Sequence, residues 1–248
     1  MKIDQVAVQL YTLRDLTASD MLGTLRQLAQ IGYRAVELAG YGNTTPQAIR
    51  AELDTLGMRA AAAHVRLDQL EQADGAVEAL KTIGCEYVVV PWVGEEHRGS
   101  VAQVRELAEQ LNRTARRLAQ HGLRLAYHNH QFEFAPLDGT TMWDLLVAET
   151  DPALVDFELD VYWAAYADQD PLALIERHGA RLPLLHLKDR AADEERDAPV
   201  GQGTLPWEPI LAASRARWYI VEQDHPRAPL ADVAHSLRYL RGLAKAAS

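Results

Sequence analysis

The chain of 248 residues contains one cysteine, Cys85, so it has no internal disulfide framework, and a reducing cytoplasm is the expected compartment. Cys85 reads as a small apolar residue beside a strand, not as a nucleophile. No stretch approaches the roughly 18 uninterrupted apolar residues of a membrane span. Lys2 and Asp4 precede only a short apolar run without a cleavage site, so neither a leader nor a membrane partner is expected. Positive charge is scarce. With 25 Lys and Arg against 35 Asp and Glu, the net charge of −10 disfavours nucleic acid as the main partner. No Pro/Gly/Ser linker or low-complexity block divides the chain, and residues 1–248 read as one domain.

What is present is a repeat. Gly32, Gly57, Gly84, Gly122 and Gly179 each close a helix-like segment and precede a short apolar run, as expected where glycine accepts the left-handed end of a helix. Strands are predicted near residues 3–10, 33–38, 58–64, 86–91, 123–129, 154–160, 182–188 and 217–222. Helices are predicted near 19–31, 46–56, 68–83, 97–121, 140–149, 171–179, 206–213 and 230–246. Val101, Val104, Leu107, Ala108, Leu111, Ala115, Leu118 and Ala119 form one apolar helical stripe. Strict alternation of strand and helix implies right-handed crossovers and a parallel sheet, and eight units match an α/β closed (β/α)₈ TIM barrel. An open doubly wound sheet is the alternative, weakened because no Gly-x-Gly-x-x-Gly follows the first strand.

Chemistry collects where the later strands end. Glu133 lies just past the fifth strand, Asp160 ends the sixth, His186 is near the end of the seventh and Glu222 ends the eighth. Successive members are about one βα repeat, roughly 30 residues, apart. Adjacent strands would therefore deliver three carboxylates and an imidazole to one barrel mouth. Such a cluster repels itself unless a divalent cation is present, and mixed carboxylate and imidazole ligation suits Mn²⁺, Mg²⁺, Co²⁺ or Zn²⁺. Singly, each of these residues could instead pair with a nearby Arg or Lys. Lys188 shares the strand face of His186 and could hold a substrate hydroxyl or a neighbouring acid. His64, Trp92, His128, His130 and Trp163 are candidate sugar contacts. The polar segment 190–203, with Asp193, Glu194, Glu195, Arg196 and Asp197, is either a solvated loop or a lid over that mouth.

Tyr127-His128-Asn129-His130-Gln131-Phe132-Glu133-Phe134, Leu159-Asp160-Val161-Tyr162-Trp163, His186-Leu187-Lys188-Asp189, Val200-Gly201-Gln202-Gly203 and Val221-Glu222-Gln223-Asp224 carry a resemblance. Together with Val8 to Arg14 and Ala63-His64-Val65, they resemble the xylose-isomerase-like sugar phosphate isomerase/epimerase family across nearly the whole chain. The resemblance implies one divalent metal, usually Mn²⁺, held by Glu, Asp, His and Glu from strands five to eight. Asp160, His186 and Glu222 fall at the matching places. At the tip of strand five this chain has His128, with Glu133 five residues on. Either Glu133 reaches back to the metal or His128 replaces it. Glu133 is preferred here, because it keeps the site's charge and supplies a base.

A metal with carboxylates can enolise a keto sugar or keto polyol through a metal-stabilised enediolate, with Glu133 or Glu222 moving the proton. Returning the proton to carbon makes an isomerase or epimerase, the leading expectation. Losing a β-substituent makes a dehydratase or lyase on a keto-inositol (inosose) or a 3-keto-glycoside. A DNA-repair endonuclease of the same superfamily would need a basic groove and more histidines. A sugar-binding barrel without turnover would have lost its metal. No Gly-rich phosphate cradle is evident beyond the weak hint of Gly201 and Gly203, so an unphosphorylated small-molecule carbohydrate is expected. Whether the protein forms a homo-oligomer is left open.

Overall fold

Apolar runs of four to six residues joined by helices pair in parallel, because each helix returns the chain to the same end of the sheet. The computed structural model describes residues 1–72, 74–192 and 196–246. Its strands are β1 (Val6–Gln9), β2 (Ala35–Leu38), β3 (Arg59–His64), β4 (Tyr87–Val90), β5 (Arg124–His128), β6 (Val155–Asp160), β7 (Leu184–Leu187) and β8 (Trp218–Val221). They neighbour one another in chain order and close when β8 pairs with β1, a (β/α)₈ barrel. Outside it lie α1 (Arg14–Ile31), α2 (Pro46–Leu56), α3 (Leu67–Gln72), α4 (Asp74–Ile83), α5 (Val101–Ala119), α6 (Met142–Glu149), α7 (Val161–Tyr166), α8 (Pro171–His178), α9 (Trp207–Ala213) and α10 (Pro229–Ala246). No helix among the described residues is long and apolar enough to cross a membrane.

Local chemistry sets the helix ends. Thr45 accepts the N–H of Ala48 ahead of Pro46 in α2, and Ser100 accepts that of Gln103 in α5. The predicted start of the first helix near residue 19 coincides with a break in α1 at Asp20, whose carboxylate caps Gly23. The sequence reading missed α7. It begins at Asp160, which is at once the end of β6 and the cap of that helix through the N–H of Trp163. Of the predicted 68–83 helix, residue 73 lies outside the described residues.

Inside the barrel the strand period of two separates two layers. The lower layer is small or aromatic: Ala7, Ala35, Ala62, Ala126, Leu184 and Trp218, with Tyr87, Val89 and Ile220. Two positions further along the same strands come Gln9, Glu37, His64, His128 and His186, and Glu222 follows Ile220 by the same step. A bulge in β3 leaves Ala61 unopposed between Val36/Ala60 and Glu37/Ala62, which sets the register of His64. The alternation thus lifts the polar groups to the C-terminal half of the barrel.

The segment after β7 is tied by one carboxylate. Fully buried Asp189 accepts from the backbone N–H of Arg190 and Leu205 on one oxygen. Its other oxygen accepts from Gly201, Gly203 and the Trp207 indole. A short antiparallel ribbon, Asp189–Arg190 with Asp197–Ala198, begins the segment. Residues 193–195 of the expected lid lie outside the described residues. The two glycine N–H groups are therefore taken by Asp189, and a Cβ on Gly203 would meet its Oδ1 at 2.2 Å. Asp189→Asn replaces one accepting oxygen with a donor and orphans at least two N–H groups. It should cost about 3 kcal/mol in urea unfolding, and wild-type stability in that variant would refute this account of the loop.

Candidate metal centre

His186 occupies the axis of the polar layer and is fully buried. Its two nitrogens face different partners. Nδ1 lies 2.9 Å from Glu222 Oε2 and 3.9 Å from Asp160 Oδ2. Nε2 lies 2.7 Å from Glu37 Oε2 and 3.1 Å from Glu158 Oε2. Two groups of four side chains result, each able to offer one ligand atom within 4.8 Å of the others: His128, Asp160, His186 and Glu222 (the outer group), and Glu37, His64, Glu158 and His186 (the inner group).

In the outer group His128 Nε2 stands 3.5 Å from Asp160 Oδ2 and is buried without a hydrogen bond, while that oxygen has only the Lys188 ammonium at 3.1 Å. An orphaned buried imidazole nitrogen of this kind is costly unless something fills the space in front of it. An imidazole and carboxylate set suits a divalent cation. Asn129 braces the group by accepting the N–H of Asp160, and Asp160 keeps its other oxygen on the α7 cap. Lys188 is already there. Its Nζ lies 2.8 Å from Glu222, 2.8 Å from Asp224 and 3.1 Å from Asp160. Burial opposes the Lys188 charge, but those three carboxylates outweigh it and hold its pKa well above the usual lysine range. Burial likewise raises Asp160 and Glu222, and Lys188 reverses both, leaving Glu222 well below the carboxylate range.

The inner group lies one step deeper. His64 Nε2 is 2.9 Å from Glu158 and 3.4 Å from Glu37, and Gln9 donates to Glu37 at 2.8 Å. Burial and the charge of Glu158 push Glu37 up to about 7. Burial would also raise Glu158, but His186 and His64 outweigh it and bring that carboxyl down. The sequence reading gave neither glutamate a role. The signal was there for Glu158, which precedes Asp160 by two residues and so shares its strand face. Glu37 sits alone in an apolar run, and only barrel closure brings it to β7.

Asp160, His186 and Glu222 come together as expected from strand ends. Glu133 stands apart from both groups. It accepts from the Tyr127 hydroxyl at 2.7 Å and from the N–H of His130 at 2.8 Å, within the turn after β5. His128, at the end of β5, fills the fourth corner. The ring of His64 stacks on that of His186 at 5.4 Å with its Nε2 turned toward the inner carboxylates. His130 and Trp163 lie 5.6 Å apart, each with one buried ring nitrogen free of any hydrogen bond. Burial, then His128 and Lys188, push His130 down to about 2, so it is neutral. Trp92 is 45% exposed, with the Arg98 guanidinium 5.8 Å from its ring.

Residues 25–243 match the family model described as xylose isomerase-like TIM barrel. An inosose dehydratase from Geobacillus kaustophilus is 26% identical over 261 residues, spanning 88% of this chain and 83% of that protein. One from Lactiplantibacillus plantarum is 31% identical over 162 residues, 55% of this chain and 53% of that one. The solved structure of a sugar phosphate isomerase/epimerase from Parabacteroides distasonis superimposes with a TM-score of 0.81 at 25% identity, covering 96% of this chain and 93% of the other.

Burial pushes Glu133 up to about 7, only partly offset by Tyr127 and the His130 N–H. A carboxyl whose folded pKa is raised contributes stability in full below its unfolded pKa, and that contribution is lost as pH rises through the folded one. Glu133 should therefore destabilise the fold progressively between about pH 4.5 and 7. Glu133→Gln removes that share, while Glu37 keeps its own. Thermal unfolding across this range should fall less steeply in the variant, and an unchanged slope would contradict the assignment.

Proposed function

The chain belongs to the xylose isomerase-like TIM barrel family, and we propose that it is a metal-dependent dehydratase that enolises a keto polyol or keto sugar and expels water from the enol. The observation that carries the reading is the outer group, in which His128, Asp160, His186 and Glu222 converge beside the Lys188 ammonium. A divalent cation among those four would supply Lewis acidity to a carbonyl and its neighbouring hydroxyl, with Mn²⁺ the first choice. Elimination is favoured over isomerisation because inosose dehydratases align along most of the chain.

The protein's groups account for the proton. Glu222, the carboxylate that meets both His186 and Lys188, takes the proton from the carbon next to the carbonyl. The C–H electrons form the enediolate double bond, and the charge that gathers on oxygen faces Lys188. When the carbonyl re-forms, the double bond shifts outward and the β carbon–oxygen bond breaks. The departing oxygen takes the proton from Glu222 and leaves as water. Glu133 acts here as a positioning residue, holding His130 and Tyr127 through its two oxygens. The free ring nitrogens of His130 and Trp163 suit the hydroxyls of a polyol, and Trp92 suits its C–H face. Gly201 and Gly203 are already bonded to Asp189, which supports an unphosphorylated substrate.

Isomerisation or epimerisation is the second reading, supported by the likeness to the Parabacteroides distasonis protein. It differs only in returning the proton of Glu222 to carbon. Incubation of the Mn²⁺-loaded protein with inosose and keto sugars in D₂O tests both readings. An unsaturated or rearranged dehydrated product with solvent deuterium is expected, lost on chelation and reduced about 10²–10⁴-fold in Glu222→Gln. Deuterated epimer without dehydration would select the second reading. A loss confined to Glu133→Gln would move the base to that residue, and no exchange with any substrate would end the enolisation reading.

A further inference from the structure

We infer that the inner group, Glu37, His64, Glu158 and His186, is a divalent-cation position in its own right, distinct from the outer group and alternative to it. The reaction proposed above does not use it.

The four residues come from β2, β3, β6 and β7, and three of them are fully buried. Their nearest ligand atoms are 2.7 to 3.4 Å apart. Four ligands held about 2.1 Å from one ion in tetrahedral array have edges of about 3.4 Å, so a small contraction or expansion would seat a cation. Two oxygens and two imidazole nitrogens suit Mn²⁺, Fe²⁺, Co²⁺ or Zn²⁺.

Two further observations point to a ligand. Glu37 Oε1 and Glu158 Oε1 are buried without a hydrogen bond. In addition, among the described residues no Lys or Arg pairs with either carboxylate, whereas Asp160 and Glu222 share Lys188. The outer carboxylates thus have a fixed cation of their own, and the inner ones meet only the Gln9 amide and two imidazoles. Two buried carboxylates with no fixed counter-charge are costly, and a divalent cation with neutral His64 and His186 balances them.

His186 makes the two positions exclusive. A neutral imidazole has one lone pair and one N–H. A cation on Nε2 leaves Nδ1–H to donate to Glu222 at 2.9 Å, and a cation on Nδ1 leaves Nε2–H to donate to Glu37 at 2.7 Å. Each group is therefore the hydrogen-bonding support of the other's metal ligand.

Metal content after Mn²⁺ loading and gel filtration tests this with His186 intact. The wild type should carry a single ion. Asp160→Asn with Glu222→Gln disables the outer group and should keep one ion. Glu37→Gln with His64→Asn disables the inner group and should also keep one, and all four changes together should keep none. If the outer variant is metal-free while the inner variant is loaded, the inner position is refuted and the outer centre stands. If both are metal-free, one shared site replaces two and the inference also fails. Two ions in the wild type would refute exclusivity. Should a variant not fold, Mn²⁺ anomalous scattering from wild-type crystals decides. Density among Glu37, His64 and Glu158 is expected, and density confined to the outer group overturns the inference.

Discussion

A single imidazole with carboxylates on both sides governs the mouth of this barrel. His186 has no contact with solvent, and four carboxylate groups lie within 4 Å of its ring nitrogens. Burial alone would lower its pKa, but Glu158, Glu222 and Glu37 outweigh burial and raise it well above the usual histidine range. Without a metal the ring serves as the cation that holds these acids together. A metal can bind there only by displacing that proton, which couples affinity to pH. The other polar residues of the upper layer are arranged about this need. Gln9 steadies Glu37, Asn129 steadies Asp160, and Lys188 serves the acids that His186 leaves partly balanced.

The barrel makes this possible by separating stability from chemistry along each strand. The lower layer of alanines, plugged by Trp218 and Tyr87, is apolar and closes the floor. Two residues further on, β1, β2, β3, β5 and β7 present Gln9, Glu37, His64, His128 and His186, and β8 presents Glu222 one step above Ile220. Large apolar side chains on the outer faces pack against the helices, as in the buried stripe of α5 from Val104 to Leu118. The cost of a charged interior is thus met by packing elsewhere, a common arrangement at functional sites.

How much of this was legible in the sequence follows from the range of each signal. Eight strand and helix units could be counted because glycine caps and periodicity act locally. Asp160, His186 and Glu222 could be named because each ends an apolar run on successive strands. Glu37 could not, since its partner lies 149 positions away across a closure that no local pattern encodes. Nor could Glu133 be placed, because a five-residue offset from His128 says nothing of which way the turn folds. The turn directs that carboxylate back to Tyr127 and the backbone of His130. Gly201 and Gly203 gave only a weak hint of an anion cradle, and the anion that their N–H groups meet is the carboxylate of Asp189.

The exchange of a strand-five carboxylate for His128 alters the charge available to chemistry. Asp160, Glu222 and Asp224 contribute three negative charges and Lys188 one positive, while burial keeps His128 neutral. A divalent cation among them would make the cluster neutral, where a glutamate in place of His128 would leave one excess negative charge. An enolising reaction begins with a neutral ketone and develops one negative charge on oxygen. A neutral centre opposes that gain of negative charge less than a centre already negative would. Glu133, held by Tyr127 and the N–H of His130, does not restore that negative charge to the cluster. For the enolisation proposed above, His128 on strand five therefore resists the developing enediolate charge less than a glutamate there would.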